Sequence, residues 1–139
     1  FFPTSSQSEI QAWLDGGAYK QWHCQATPHA SDVASGHPTK ARICSNDALS
    51  AHGSGEYPVG AANVKEVFDA TDARIGTTVY GKIAKTTATH NGFFYFGVGD
   101  LVAFGPGSDA TVKATCVDCH GEAGVTTTFG HDFVYTQVK

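Results

Sequence analysis

The sequence predicts an α+β domain in which an antiparallel β-sheet is packed with a few helices. Three observations carry this: helical spacing near the two ends of the chain, period-two segments in the middle, and polar or glycine-rich breaks between them. A chain of 139 residues that is 41% hydrophobic is long enough for one compact core and short for two, so residues 1–139 are read as a single domain.

The first helix has a start signal at Ser6, because Ser6 and Glu9 have capping-box spacing. Ile10, Trp13 and Leu14 then share one face, and Gly16-Gly17 ends the run. Pro, His, Ser and Gly dominate residues 27–39, which read as a surface loop. Residues 40–45 read as a strand, and residues 46–51 as one or two helical turns before Gly53 and Gly55. Across residues 61–68, Ala61, Asn63, Lys65 and Val67 fall on one face of a strand, and Ala62, Val64, Glu66 and Phe68 on the other. Residues 77–87 and 93–98 read as further strands, with Asn91-Gly92 as a hairpin turn before the aromatic run. Ser108 is placed to cap a short helix that leads to Cys116, and residues 129–138 read as a final extended segment.

Charge and hydropathy exclude two classes of partner. A net charge of −4, from 9 Lys+Arg against 13 Asp+Glu, offers no basic face for nucleic acid. No segment approaches the roughly 20 apolar residues of a membrane span. Phe1 in place of an initiating Met fits a mature chain whose export signal has been removed, and the expected location is periplasmic or otherwise exported. Of the four cysteines, Cys116 and Cys119 belong to a motif. Cys24 and Cys44 remain as a couple that either closes a disulfide in an oxidising compartment or stays as two buried thiols.

Cys116-Val117-Asp118-Cys119-His120 is the c-type haem attachment pattern. Two thiols three positions apart each reach one vinyl group of the porphyrin, and the next residue offers an imidazole to the iron. A redox Cys-x-x-Cys pair would sit near a βαβ pattern, which this chain lacks. A zinc site would need further ligands at suitable spacing, and Cys24 and Cys44 are remote in sequence. The motif therefore predicts haem c bonded to Cys116 and Cys119, with iron held by His120. The chain has no methionine, so the sixth iron position is either open or taken by a second histidine. His23, His29, His37, His52, His90 and His131 all lie in or beside polar loops or terminal segments, where solvated or capping roles are common. An open position needs a wall against water. Phe93-Phe94-Tyr95-Phe96 puts two rings on each face of a strand, with Phe94 and Phe96 the candidate distal pair and ordinary sheet core the alternative.

Further segments carry a family resemblance: Tyr19-Lys20-Gln21-Trp22, Thr39-Lys40-Ala41-Arg42, the run from Gly55 through Tyr57-Pro58-Val59-Gly60 to Glu66, and Gly92-Phe93-Phe94-Tyr95-Phe96. With the haem motif close to the C-terminus, the chain resembles the cytochrome P-460 family, whose relatives include the c′-beta cytochromes. The resemblance implies an antiparallel sheet packed with helices, a homodimer, and a haem iron with one protein ligand and an open or apolar distal side. In cytochrome P-460 proper, a lysine in a segment similar to Asn63-Val64-Lys65-Glu66 is bonded to a meso carbon of the porphyrin; the resemblance implies that role for Lys65. It likewise makes Arg42 the counterpart of a distal arginine. Cys24, Cys44 and the His- and Ser-rich residues 27–38 depart from the family pattern.

The function implied is oxidation of hydroxylamine or a related small nitrogen species, with electrons passed to a redox partner protein. The alternatives are a cytochrome that binds nitric oxide or carbon monoxide without turnover, and a bis-His electron carrier. Hydroxylamine loses protons as it loses electrons, so oxidation calls for a nearby base. Asp100 and Asp109 are the acidic candidates closest in sequence to the aromatic strand and the haem helix.

Overall fold

Period-two alternation in the middle of the chain builds a seven-stranded sheet in which neighbouring strands pair antiparallel. The structure, a computed structural model, describes residues 2–30, 40–125 and 130–139. In chain order the strands are β1 (His23–Cys24), β2 (His29–Ala30), β3 (Lys40–Ser45), β4 (Ala62–Phe68), β5 (Arg74–Lys82), β6 (Phe93–Val98) and β7 (Ala103–Pro106). Across the sheet the order is β1-β3-β4-β5-β6-β7, and β2 also pairs with β3.

The sheet buries both faces, each against a different helical element. Helix α1 (Gln7–Gly16) forms where the capping signal places it: Ser6 Oγ accepts from the Glu9 N–H at 3.2 Å, and Gly17 closes the helix in the left-handed conformation. Its Ile10 and Leu14, with Tyr19 of the following 3₁₀ turn, pack on Val64, Val79, Phe94 and Phe96. On the other face Tyr80, Phe93 and Tyr95 lie beneath Val112, Cys116 and Val134. The four consecutive aromatics of β6 thus divide two and two between the faces, as strand alternation requires. A short helix α2 (Asp47–Ser50) is capped by Asn46, whose Oδ1 accepts from the Leu49 N–H at 3.1 Å.

The chain reaches His120 through one helical run with a widened middle. It comprises α3 (Ala110–Val112), a π-helical turn (Lys113–Val117) in which the Asp118 N–H reaches Lys113 O, and α4 (Asp118–His120). No helix among the described residues is long and apolar enough to cross a membrane.

Five expectations need correction. Asp109, not Ser108, caps α3: its Oδ1 accepts from the N–H groups of Thr111 and Val112 at 2.9 and 3.1 Å. Asn91-Gly92 is not a two-residue hairpin turn, because β5 stops at Lys82 and residues 83–92 form a longer connection. Gly92 ends that connection at φ 76°, its carbonyl accepting from Ile83 and Ala84; a Cβ there would lie 2.1 Å from Ala84 O. Strand β5 starts earlier than residue 77, because the Asp69 carboxylate accepts from Thr71 and Ala73 and turns the chain back at once. His29 and Ala30, read as loop, pair with Ala41 and Lys40; residues 31–39 of that loop, His37 included, lie outside the described residues. Residue 129 does too, and residues 131–134 fold into a tight turn rather than a strand, with His131 and Val134 bonded to each other.

Candidate functional site

Alternation decides what shares a face with the Cys116-to-His120 motif. In the pairing register Ile43, Lys65, Thr78 and Gly97 lie abreast, and next to them Ser45, Asn63, Tyr80 and Tyr95. This is the face covered by Cys116 and Val112. The His120 ring meets Tyr80 edge-on at 4.8 Å between centroids, with Tyr95 at 5.8 Å and Tyr135 at 5.6 Å.

The hydroxyls of this aromatic wall are tied down. Asn63 Nδ2 donates to Tyr80 Oη at 3.0 Å and to Thr136 O at 2.8 Å, while its Oδ1 accepts from Ser45 Oγ at 2.5 Å. Asn91 Nδ2 donates to Tyr95 Oη at 3.0 Å, and Tyr135 Oη donates to Cys119 O at 2.6 Å. Burial raises the Tyr80 and Tyr95 hydroxyls well above the usual tyrosine range. Neutral phenols therefore surround the imidazole at ordinary pH.

The donors of the motif are distinguishable from the rest of the chain's sulfur and imidazole. Cys24 and Cys44, directly opposed across β1 and β3, form a disulfide, which resolves the alternative of two buried thiols. Cys116 and Cys119 are free, one turn apart on the helical run. Burial, with Cys119 adding to it, pushes the Cys116 thiol up to about 11. His120 Nδ1–H donates to Phe133 O at 2.8 Å, so in the neutral ring the lone pair sits on Nε2. Among the described residues no group of three or more His, Cys, Asp or Glu side chains is arranged to hold a bare metal ion. Two free thiols and an Nε2 lone pair within five consecutive residues are the donor set that a covalently attached haem needs, and in this sense the residues fit the group.

Lys65 lies half-buried on this same face, where burial holds its amine below the usual lysine value, while Asp100 and Cys119 act in the opposite direction. The structure thus puts Lys65 on the sheet face that Cys116 covers, within electrostatic reach of Cys119.

The remaining candidates lie elsewhere. Arg42 is on the α1 face, where its Nε donates to Glu66 Oε2 at 2.7 Å, and Glu66 also accepts from Tyr19 Oη at 2.5 Å. Phe94 and Phe96 belong to the core under α1. Asp109 spends its carboxylate on the helix cap. Of the histidines, His23 bonds Asp47, and His52 and His131 flank the Tyr57 ring.

Tyr80, Asn63, Tyr135 and the Phe133 carbonyl were not singled out from sequence. The alternation across residues 61–68 holds a signal for Asn63, which it puts in phase with Lys65, whereas Tyr80 joins that face through the β4–β5 register. No protein-family model and no curated protein matches this chain.

Proposed function

We propose that this chain is a c-type haem protein in which Cys116 and Cys119 would hold the porphyrin as thioethers and His120 would bind the iron. The observation that carries this reading is the state of the donors. The motif's two thiols are free while the other cysteines are consumed, and His120 is held through Nδ1 with its lone pair on Nε2. When bound, the haem supplies a redox-active iron that takes small ligands. Around the His120 ring, Tyr80 and Tyr95 exclude water, and Asn63 and Asn91 fix their hydroxyls. Lys65, with its amine kept below the usual value, is the residue that would form a third bond to the porphyrin edge, a C–N bond in place of a ring C–H that would release two protons and need a two-electron oxidant such as a peroxide.

The reaction that fits these groups is oxidation of hydroxylamine or a related small nitrogen species, with electrons leaving to a redox partner protein. Lys65 lies on this face with Asp100 acting electrostatically on its amine, and these are the groups proposed to take protons, while Arg42 and Asp109 are engaged elsewhere. Binding of nitric oxide or carbon monoxide without turnover is the second reading, favoured by the aromatic lining around His120. An exported homodimer belongs to the same proposal, and the Cys24–Cys44 disulfide supports an oxidising compartment.

The test is a comparison of the haem-loaded protein with Lys65→Arg. The unsubstituted chain is expected to gain the mass of one haem, to show a high-spin ferric resonance, and to yield a haem peptide joining residues 116–120 to the Lys65 segment. In Lys65→Arg the second peptide should be lost and the visible spectrum should change, together with hydroxylamine-dependent reduction of an added acceptor. A haem peptide without Lys65 and an unchanged spectrum would transfer the assignment to gas binding. A low-spin bis-imidazole signal would transfer it to an electron carrier, and absence of covalent haem would remove the proposal.

A further inference from the structure

Lys82 is a buried charged group for which haem attachment provides no use. Its side chain has no exposed surface, and its Nζ lies over the Phe93 ring at 4.6 Å. A buried ammonium is tolerated only when paired and hydrogen-bonded. Here Nζ donates to Thr86 Oγ1 at 2.7 Å and to Asn91 O at 3.0 Å, and pairs with Glu56 Oε1 and Asp132 Oδ2, each at 3.2 Å. Asp132 Oδ2 also accepts from the Tyr57 N–H at 2.7 Å. The carboxylate is therefore gripped from two directions.

What the grip holds is the turn at residues 131–134. Asp132 and Phe133 both adopt positive φ, 43° and 65°, a conformation that side chains with a Cβ disfavour and that persists only where the surroundings impose it. The two hydrogen bonds between His131 and Val134 close the turn, at 3.0 and 2.9 Å. The carbonyl it presents is that of Phe133, the acceptor of His120 Nδ1–H. A ligand imidazole takes its tautomer and ring orientation from the partner of its other nitrogen.

We propose that Lys82 and Asp132 are positioning residues for His120: their ion pair holds the 131–134 turn so that the Phe133 carbonyl fixes the Nδ1–H tautomer and aims Nε2. The inference rests on the reading of His120 as an iron ligand, but the tautomer is equally a property of the haem-free chain. Haem failure and positioning failure are therefore separable. Asp132→Asn keeps the shape of the side chain and removes its charge.

In haem-free chain labelled with ¹⁵N-histidine, nuclear magnetic resonance should find His120 as the Nδ1–H form in the unsubstituted protein, and a growing Nε2–H fraction in Asp132→Asn. In the loaded protein the same substitution should lower the iron–histidine stretching frequency and raise the reduction potential, because a less firmly bonded imidazole donates less to iron. Glu56→Gln, at an exposed position, should move all three readouts in the same direction by less, and it decides the matter if Asp132→Asn does not fold. Variants that melt at lower temperature while tautomer, stretching frequency and potential stay put would reduce Lys82 and Asp132 to structural residues and overturn the proposal. If the unsubstituted chain takes up no haem, the functional reading fails, and the tautomer measurement still decides this one.

Discussion

Arg42→Met offers a direct test of which face of the sheet carries chemistry. Methionine keeps an apolar stem of similar reach and deletes the guanidinium, so the substitution isolates the charge. Arg42 donates to a Glu66 side chain that is 4% exposed, through a bond of 2.7 Å. A hydrogen bond to a charged group contributes about 1.5–3 kcal/mol. Orphaning a fully buried charge costs more, about 3–5 kcal/mol. Glu66 is not fully orphaned here, because Tyr19 Oη still donates at 2.5 Å and the half-exposed Arg74 guanidinium stands 3.7 Å away. The expected loss is therefore the lower range, about 1.5–3 kcal/mol, or a fall in Tm of roughly 5–12 °C for a chain of this size. Urea unfolding measures the loss, and the visible spectrum and ligand affinity of the loaded protein should not change. Unchanged stability with an altered haem spectrum would refute the reasoning, since it would mean that Arg42 reaches the His120 side of the sheet.

Two pairs of residues, Cys24 with Cys44 and Tyr19 with Tyr57, lead to further outcomes. Replacing both Cys24 and Cys44 by serine should cost about 3 kcal/mol in urea unfolding, from the loop that the bond closes. Alkylation of the unreduced, haem-loaded chain should label no cysteine, and label at Cys24 or Cys44 would contradict the pairing. Burial pushes the Tyr19 and Tyr57 hydroxyls up to about 12 from 10.0, with Glu66 and Asp132 respectively adding to it. A raised folded value means that this stability is fully present below pH 10 and is lost as pH rises from 10 through 12. The urea midpoint should accordingly fall across that window; a flat midpoint would show that neither phenol resists ionisation.

Legibility in the sequence follows the range of the interactions involved. Helix α1 and strands β4 and β6 are readable because their signals are local: a serine cap three residues before a glutamate, and runs of six or seven residues rich in β-branched or aromatic side chains. Strand β7 is not, since Ala103-Phe104-Gly105-Pro106 has neither β-propensity nor alternation and is extended only because β6 offers it a partner. Cys116, Cys119 and His120 are contiguous and announce themselves, whereas the device that holds His120 joins Lys82 to a residue 50 positions away. A lysine in a strand is ordinarily exposed, so nothing near Lys82 marks its burial. Arg42 fails for another reason. Its strand is legible, but its face depends on the β3–β4 register, which pairs Ile43 with Lys65 and Arg42 with Glu66.

That register is not left to the hydrophobic pattern alone. Side chains alternate with a period of two, so a slip of one residue in β3 would carry Arg42 to the His120 face and send Ile43 to the α1 side. Cys44 lies two residues from Arg42 and packs in the α1-side core, bonded to Cys24 directly across β1. A slipped β3 would aim Cys44 at the opposite face and tear the bond from its partner. The disulfide therefore fixes the parity of β3 and keeps Arg42 on Glu66. The same parity keeps Ile43 opposite Lys65 on the other face, where Asp100 and Cys119 act electrostatically on the Lys65 amine.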